Sequence, residues 1–395
     1  QGMNGKDIFL GLKYVGDDLI EKAEYDTFQK SKVKTFGKKK LLLLLAAVLV
    51  MGTMTAAKVY TRWSATMQLG NYGGVQPSEQ IKNQAEKTGL SVVPTETKDG
   101  KQESITATDN GITVTAVQTL ADQYGGRVIF RIEGLELEDG QAPWAWWDFL
   151  IDGQPLAQSG YEMGLGAHFF EGIATDSQGN PIYIKNGQPI SKDGENQEWV
   201  LDYQLSDGSI EYSVSFEWSK NSLLGKEVTF SFTGFGIQGD TKYDEEIMTV
   251  PGKWELTWTL EGSTEKPKKW TPNTKIGDLP VALSEVEIGQ YSMKITYQID
   301  EHTFANYADF DDFQTQNAWQ PYPAGVRWKD GTDMFVNGGG PQSWDPEHHQ
   351  YTVIIGALAT VLDPEQIVGI SFYPAYELNA QGSQVDKPYY YIPLE

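Results

Sequence analysis

The chain contains no cysteine among its 395 residues. Disulfide bonds, zinc fingers, thiol catalysis and thiol redox sensing are therefore excluded. An exported region of this size without disulfides has to be stabilised by its hydrophobic cores alone, and the length of the chain permits such cores.

Several catalytic and cofactor motifs are also missing. The GxSxG nucleophile elbow, the Walker A phosphate loop and the HExxH zinc helix do not occur. The four histidines are not spaced as metal ligands, and we place them in surface loops; they are His168, His302, His348 and His349. The acid-rich runs 240–246 and 309–312 lack the register of a calcium loop and are interpreted as solvated loop charge. We therefore predict a protein that is not an enzyme and that holds no cofactor or metal.

The longest uncharged run, Leu41–Ala57, follows directly on three lysines, Lys38, Lys39 and Lys40. At about 1.5 Å per residue a helix over this run nearly spans a bilayer, and extending it to residue 60 completes the crossing. We predict a transmembrane helix over residues 41–60, with the lysine-rich N-terminus in the cytoplasm and the remainder outside. The alternatives are a signal peptide cleaved after Thr55-Ala56-Ala57 and a buried core helix.

The charge distribution agrees with this division. The chain carries 54 acidic and 31 basic residues, a net charge of −23, although residues 1–40 are net positive. The part after the predicted span is therefore strongly acidic, which disfavours nucleic acid and anionic lipid as its partners. We predict no nucleic-acid partner.

The N-terminal segment has a helical pattern. Gln1 and Gly2 are interpreted as a tag remnant, and residues 3–40 as a helical cytoplasmic segment that ends in the lysine block. We expect four apolar side chains on one side of the helices to bind a cytoplasmic protein or the inner membrane surface; they are Ile8, Leu12, Leu19 and Ile20. The alternative is a weakly ordered tail without a partner.

Residues 61–103 are polar and are predicted to form a stalk. A short helix is expected between Pro77 and Lys87, because proline lies at its start and Gly89 just beyond its end. From residue 104 onward apolar and polar residues alternate, as in β-strands; Glu227–Ile237 is one predicted strand, and Asp109-Asn110-Gly111 and Gln123–Gly126 are predicted turns between strands. We predict two consecutive Ig-like β-sandwich domains outside the membrane, at residues 104–262 and 275–395, joined by a linker at residues 263–274.

Several short motifs carry a family resemblance. Segments of the predicted sandwiches resemble the extracytoplasmic region of DUF4179-type membrane proteins of Firmicutes; they are Thr108–Gly134, Val250–Leu256, Leu362–Ile370 and Tyr391–Leu394. Asp17–Glu24, followed by a lysine block and one anchor, is similar to the same proteins. Some relatives are anti-sigma or sigma-regulating proteins, so the resemblance implies a role in transmembrane signalling and transfers no catalytic residue. The chain departs from the family pattern because residues 3–40 lack the histidine and cysteine of a zinc-binding anti-sigma domain.

Tryptophan is abundant, with 12 residues, and three of them occur within the four residues 144–147. Trp144 and Trp146 are candidates for stacking on a sugar or on a partner protein. Core packing is the competing interpretation, because alternate residues of a strand point to opposite faces and Trp147 lies opposite Trp146. Trp254 and Trp258 are expected to enter a core from the same side of their own strand.

Three functional hypotheses follow from these observations. The first is a membrane-anchored regulator whose sandwich region senses the cell envelope while its cytoplasmic segment controls a partner such as a sigma factor. The second is a cell-surface module that binds an envelope glycan or protein through Trp144 and Trp146. The third, a surface enzyme, has no sequence motif in its favour.

Overall fold

The protein is described here from a computed structural model of the chain. The structure describes residues 63–64, 79–98, 101–138, 141–170, 172–173, 183–185, 188–190, 198–199, 201–205, 207–218, 221–238, 246–277, 279, 281–299, 323–336, 342–356, 361–374 and 388–394. All of them belong to one compact unit, Lys58–Glu395. The tag remnant 1–2, the cytoplasmic segment 3–40 with Ile8, Leu12, Leu19 and Ile20, and the span 41–60 lie outside these residues.

The elements of the first half follow in chain order. They are α1 (Glu79–Lys87), β1 (Ser91–Val92), β2 (Thr95–Lys98), β3 (Lys101–Ser104), β4 (Thr106–Asp109), β5 (Ile112–Ala121), β6 (Gly125–Glu133), β7 (Pro143–Ile151), β8 (Gln154–Pro155), α2 (Leu156–Ser159), β9 (Met163–Phe169), β10 (Gly172–Ile173), β11 (Tyr183–Lys185), β12 (Gln188–Ile190), β13 (Glu198–Trp199), β14 (Leu201–Asp202), β15 (Ile210–Trp218), β16 (Glu227–Ile237) and β17 (Ile247–Thr259).

The elements of the second half continue the series. They are β18 (Lys268–Trp270), β19 (Thr274–Lys275), β20 (Val281–Ile288), β21 (Met293–Ile299), β22 (Pro323–Trp328), β23 (Asp333–Phe335), β24 (Gln342–Asp345), β25 (Gln350–Ile355), a short 3₁₀ helix (Pro364–Gln366), β26 (Ile367–Phe372) and β27 (Tyr390–Pro393).

The first sandwich consists of two antiparallel sheets around one hydrophobic core. One sheet has the strand order β1-β5-β6-β15-β9, with β4 also paired to β5, and the other has the order β17-β16-β7-β8. The alternation predicted from the sequence is present, since Val228, Phe230 and Phe232 of β16 are buried in this core while Thr229 and Ser231 between them are not. The two small sheets β10-β14 and β12-β11-β13 lie in the chain between β9 and β15.

The second sandwich repeats the arrangement with shorter strands. Its sheets have the orders β18-β20-β21-β25-β24, with β19 paired to β20, and β23-β22-β26-β27. Their buried residues form a second hydrophobic core that includes Val286, Ile295 and Ile370. The mainly β fold predicted from the sequence is therefore confirmed, and the paired sheets are those of β-sandwich domains.

The segments predicted as stalk and linker take part in the folded region. Helix α1 occupies the position expected from its flanking proline and glycine, and Gly89 beyond its end has a left-handed φ of 74°. Strand β18 lies inside the predicted linker 263–274 and pairs with β20. The second sandwich therefore starts before residue 275. The sequence does not reveal this strand, because the lysine-rich run Lys268–Trp270 shows no clear period of two.

No helix among the described residues has the length and apolar character needed to cross a membrane.

Candidate functional site

Two regions of the described chain concentrate unusual side chains. The first is a junction where the two sandwiches and helix α1 meet. The second is an aromatic face on the outer side of the sheet β17-β16-β7-β8.

The junction has its own hydrophobic cluster. Two residues that precede α1, Trp63 and Ser64, are 5% and 1% exposed there. The cluster combines members from the α1 region, the outer side of β5 and β6, and the second sandwich; they are Trp63, Ala85, Leu90, Val117, Leu120, Ile129, Tyr291 and Val361. Trp63 Nε1 donates to Glu86 Oε1 at 3.1 Å, and the Ser64 amide donates to Gln118 Oε1 at 2.8 Å. The chain that follows the predicted membrane span is thus held where both sandwiches meet.

Asp122 links the two sandwiches through the junction. It follows β5, and its carboxylate accepts hydrogen bonds from the amides of Tyr291 at 2.8 Å and Ser292 at 3.1 Å, and from the hydroxyl of Ser292. Burial raises the pKa of Asp122, whereas these hydrogen bonds, which favour the charged form, oppose the rise. A buried acceptor with several donors from another domain fixes the relative position of the two.

Glu217 lies on the other side of the same junction. Its side chain is 7% exposed, and a Cβ on Gly356 of the second sandwich would come within 2.3 Å of its Cγ. Gly125 and Gly356 also approach each other, so that any side chain at either glycine would separate the sandwiches. Burial raises the pKa of Glu217 to about 7, while the positive charge of Arg127 acts in the opposite direction.

A third contact completes the junction. The Tyr124 hydroxyl donates to Glu287 of β20, and Lys294 Nζ donates to the other oxygen of the same carboxylate at 3.0 Å. Burial and the neighbouring Glu287 raise the pKa of Tyr124. Thr88, after α1, donates to Gln290 Oε1 at 2.8 Å, which joins the helix to the same loop of the second sandwich.

The aromatic face carries the two tryptophans that the sequence selected. Trp144 and Trp146 of β7 are half-buried on the outer side of the sheet, where they pair across the strands with Gly236 and Gly234. Met248 of β17, 41% exposed and paired with Gly236, extends this face, which we define as Trp144, Trp146 and Met248. Their role as ligand-stacking residues stays a prediction.

The neighbouring tryptophans are core residues, as their alternation predicted. Trp147 points to the inner side, where its Nε1 donates to the Tyr212 hydroxyl at 2.6 Å. Trp254 and Trp258 of β17 are both buried in the first core. The rings of residues 144 and 146 therefore belong to a different surface from those of 147, 254 and 258.

Of the three histidines that the structure describes, one differs from the surface-loop prediction; His302 lies outside the described residues. His168 lies within β9 opposite Ser213 of β15 and is not in a loop, and burial followed by the charge of Arg127 lowers its pKa to about 4. His348 does lie in a turn, with Nδ1 2.8 Å from Asp345 Oδ2. Within the described segments no cluster of three or more histidine or acidic side chains is arranged to hold a metal ion. The acid-rich runs 240–245 and 309–312 lie outside those segments.

The junction was missed by the sequence analysis. The sequence pattern assigned no role to Asp122, and the partners of Asp122 lie about 170 positions further along the chain. The one available signal was an acidic residue directly after the apolar end of a strand, Leu120-Ala121. Such a residue is equally typical of an ordinary turn.

Comparisons with known proteins give weak similarities. No protein-family model matches the chain, and a search of curated proteins also finds no match. Among solved structures, a conserved domain protein from Bacillus anthracis is 10% identical over 81% of this chain and 90% of its own, with a TM-score of 0.41. The C-terminal domain of the AgI/II polypeptide BspA of Streptococcus agalactiae is 8% identical over 75% of this chain and 97% of its own, with a TM-score of 0.11.

Proposed function

We propose that the chain is a single-pass membrane protein that transmits a state of its outer region to a cytoplasmic partner. In this proposal residues 41–60 form the anchor, two Ig-like sandwiches lie outside the membrane, and residues 3–40 bind a regulatory protein such as a sigma factor. We also propose that the chain is related to the DUF4179-type membrane proteins that its motifs resemble.

The observation that carries the proposal is the burial of Trp63 and Ser64 in the junction. Only two residues separate Trp63 from the end of the predicted span, so the Cα atoms of residues 60 and 63 are at most about 11 Å apart. A change in the packing of the two sandwiches would therefore act on the outer end of the anchor through a very short connection. A long flexible stalk at this point would absorb such a change.

Membrane topology is the first test. The chain has no cysteine, so Ser31→Cys and Thr106→Cys each introduce a unique thiol. We expect a membrane-impermeant maleimide to label Thr106→Cys in intact cells and Ser31→Cys only after lysis. The opposite labelling, or a mature chain that starts near Lys58, would overturn the proposal.

Partner binding is the second test. Full-length protein with a C-terminal tag is crosslinked in its native host and purified, and the sigma factors recovered with it are identified. We expect recovery with the wild type and with Lys13→Asp, which lies off the predicted apolar side, and loss with the double variant Leu12→Asp/Leu19→Asp. Recovery of no sigma factor, or equal recovery with the double variant, would contradict the regulatory role.

The aromatic face favours a second candidate function, binding of an envelope glycan or protein. The Met248 side chain lies over Gly234, beside Trp146, so the two tryptophans and this methionine form one apolar patch on the outer side of the sheet. Aromatic rings in such a patch offer a surface on which a flat ligand stacks. If this face binds the ligand, Trp144→Ala and Trp146→Ala should each weaken binding on a glycan array, while Thr229→Ala on the same outer side should not. Binding that is unchanged in both tryptophan variants would eliminate this candidate.

A further inference from the structure

A cavity at the edge of the first sandwich lies apart from both the junction and the aromatic face. Its volume is about 350 Å³, within the range of small-molecule sites. One wall comes from the hairpin β2-β3 and the residues beside it, and the other comes from β5, the start of β16 and the end of β17. The cavity therefore lies where the two sheets of the sandwich separate at their edge.

Two buried polar groups that line the cavity have no hydrogen-bond partner among the described residues. Thr119 and Trp258 both line the cavity and are 1% and 7% exposed. Neither Thr119 Oγ1 nor Trp258 Nε1 has a hydrogen-bond partner among the described residues. A buried polar group without a partner costs about 1–3 kcal/mol, so two in one wall require an explanation.

The position of Thr119 results from an irregularity in β5. The pairing of β5 with β6 shifts register between Ala116 and Gln118. After this bulge Thr119 pairs with Val128, a residue of the first core, so the hydroxyl faces the interior of the sandwich. Trp258 reaches the same region from the opposite sheet, with its ring stacked on Phe230 at a centroid distance of 5.6 Å.

The other side chains that line the cavity determine which class of ligand can bind. Polar side chains that accept or exchange hydrogen bonds dominate this part of the lining, namely Glu96, Gln102, Glu227, Thr259 and Glu261, and the lining includes no lysine, arginine or histidine. Glu96 forms an ion pair with Lys98 of the hairpin, so Glu227 and Glu261 supply the uncompensated negative charge. An anionic ligand is therefore disfavoured.

A cationic ligand also fails to match. The indole N–H of Trp258 can only donate, and an ammonium group can only donate as well, so the two do not satisfy each other. A hydroxyl group both accepts and donates. A neutral polyol accepts from Trp258 and Thr119 on one side and donates to the glutamates and Gln102 on the other.

We infer that this cavity is a binding site for a neutral saccharide of one or two sugar units. The hairpin can adapt to such a ligand, because β2 and β3 pair only with each other in the described sheets and most of their residues are exposed. The inference goes beyond the proposed function, since the junction and the membrane span take no part in it.

The test measures binding of glucose, N-acetylglucosamine and maltose to the purified full-length chain by calorimetry, with spermidine as the cationic comparison. Trp258→Phe keeps the ring and removes the N–H, and Thr119→Val keeps the shape and removes the hydroxyl. We expect one of the sugars to bind saturably and each variant to weaken that binding about tenfold. Trp254→Phe is the matched control, because the Trp254 N–H is satisfied by the carbonyl of Ile112 at 2.9 Å, outside the cavity lining.

Three results would overturn the inference. They are the absence of saturable binding by all three sugars, sugar binding that is unchanged in both variants, and spermidine binding that the sugars do not displace. Thr119→Val provides a safeguard if Trp258→Phe does not fold. Removing a buried hydroxyl without a partner should leave the unliganded protein at least as stable as the wild type. Failure of the sugar test leaves the topology and partner tests unaffected, so the two proposals can fail separately.

Discussion

The two sandwiches share an architecture but differ in what fills them. The core of the first is rich in aromatic rings: Phe130 contacts Phe230 and Phe232, Phe149 contacts Phe230, and Trp258 is stacked on Phe230. The core of the second consists mostly of isoleucine, leucine and valine, with a smaller aromatic group around Tyr297. The difference is chemical, because indole rings bring polar N–H groups into a core and aliphatic side chains do not.

Each buried indole of the first sandwich therefore needs an acceptor. Trp147, Trp218 and Trp254 donate to Tyr212, to the carbonyl of Gln123 and to the carbonyl of Ile112. Trp258 has none among the described residues, and it lines the cavity. The aromatic sandwich thus carries the candidate binding chemistry, whereas the aliphatic sandwich contributes the loop that completes the junction.

The largest expected effect comes from removing a ring at the centre of the first core. Phe230→Ala should lower the free energy of unfolding by about 3–5 kcal/mol, because the ring is fully buried and touches several others. Ile295→Val in the second core should cost only about 1 kcal/mol. Urea unfolding followed by fluorescence measures both. A loss below about 2 kcal/mol for Phe230→Ala would show that the aromatic core can collapse around the gap.

The next effect concerns the coupling of the two sandwiches. Asp122→Ala leaves the buried amides of Tyr291 and Ser292 without an acceptor and should cost about 2–4 kcal/mol. It should also split a single unfolding transition into two, since the sandwiches then unfold separately. Asp152→Asn is the control, because Asp152 is half-exposed, forms a surface ion pair with Lys226, and has a left-handed φ of 49° that asparagine tolerates. A single transition in Asp122→Ala would mean that the apolar contacts of the junction suffice for coupling.

Raising the pH offers a milder way to loosen the junction. The pKa of Glu217 is about 7 in the folded protein, above the ordinary value of 4.5, so the folded state binds the proton more tightly than the unfolded state. This contribution to stability is complete below pH 4.5 and is lost as pH rises through 7, by about 3 kcal/mol. The nearby charged and titratable groups are Arg127, Tyr291 and Asp122.

The measurement is the free energy of unfolding between pH 5 and 8 for the wild type and for Glu217→Gln. His168 acts in the opposite direction below pH 6.5, since its pKa is lowered to about 4, and the difference between the two proteins removes its contribution. We expect the wild type to lose stability relative to Glu217→Gln as pH rises. A constant difference across this range would contradict the raised pKa.

The sequence predicted the strands better than it predicted the contacts between them. The alternation in residues 227–237 matches β16 at both ends, and Asp109-Asn110-Gly111 forms the expected turn, with left-handed φ values of 44° and 82° at its last two residues. Both features are local, because a strand needs only its period and a tight turn needs only residues that tolerate positive φ.

The candidate cavity and the junction could not be predicted in the same way. The alternation of apolar and polar residues does not reveal the bulge between Ala116 and Gln118. This bulge turns the Thr119 side chain from the outer side of the sheet to the inner side. Asp122 and its partners are about 170 positions apart, and their pairing depends on how two separately folded sheets approach. Alternation predicted that Trp146 and Trp147 point to opposite faces of their strand, as they do, but alternation alone does not say whether an outward face is covered.

The smallest expected change in the free energy of unfolding comes from the aromatic face, in contrast to the core beneath it. Trp144→Ala and Trp146→Ala should each lower the free energy of unfolding by less than about 1 kcal/mol, because both rings are half-buried and pair across the strands with glycine. Trp147→Ala, one position away on the inner side, should cost about 3 kcal/mol, since it removes core packing and the hydrogen bond to Tyr212. Thermal unfolding of the three variants measures this contrast. Equal losses would mean that the outer rings support the sheet as much as the inner one does, and the aromatic face would then have a structural explanation that requires no ligand.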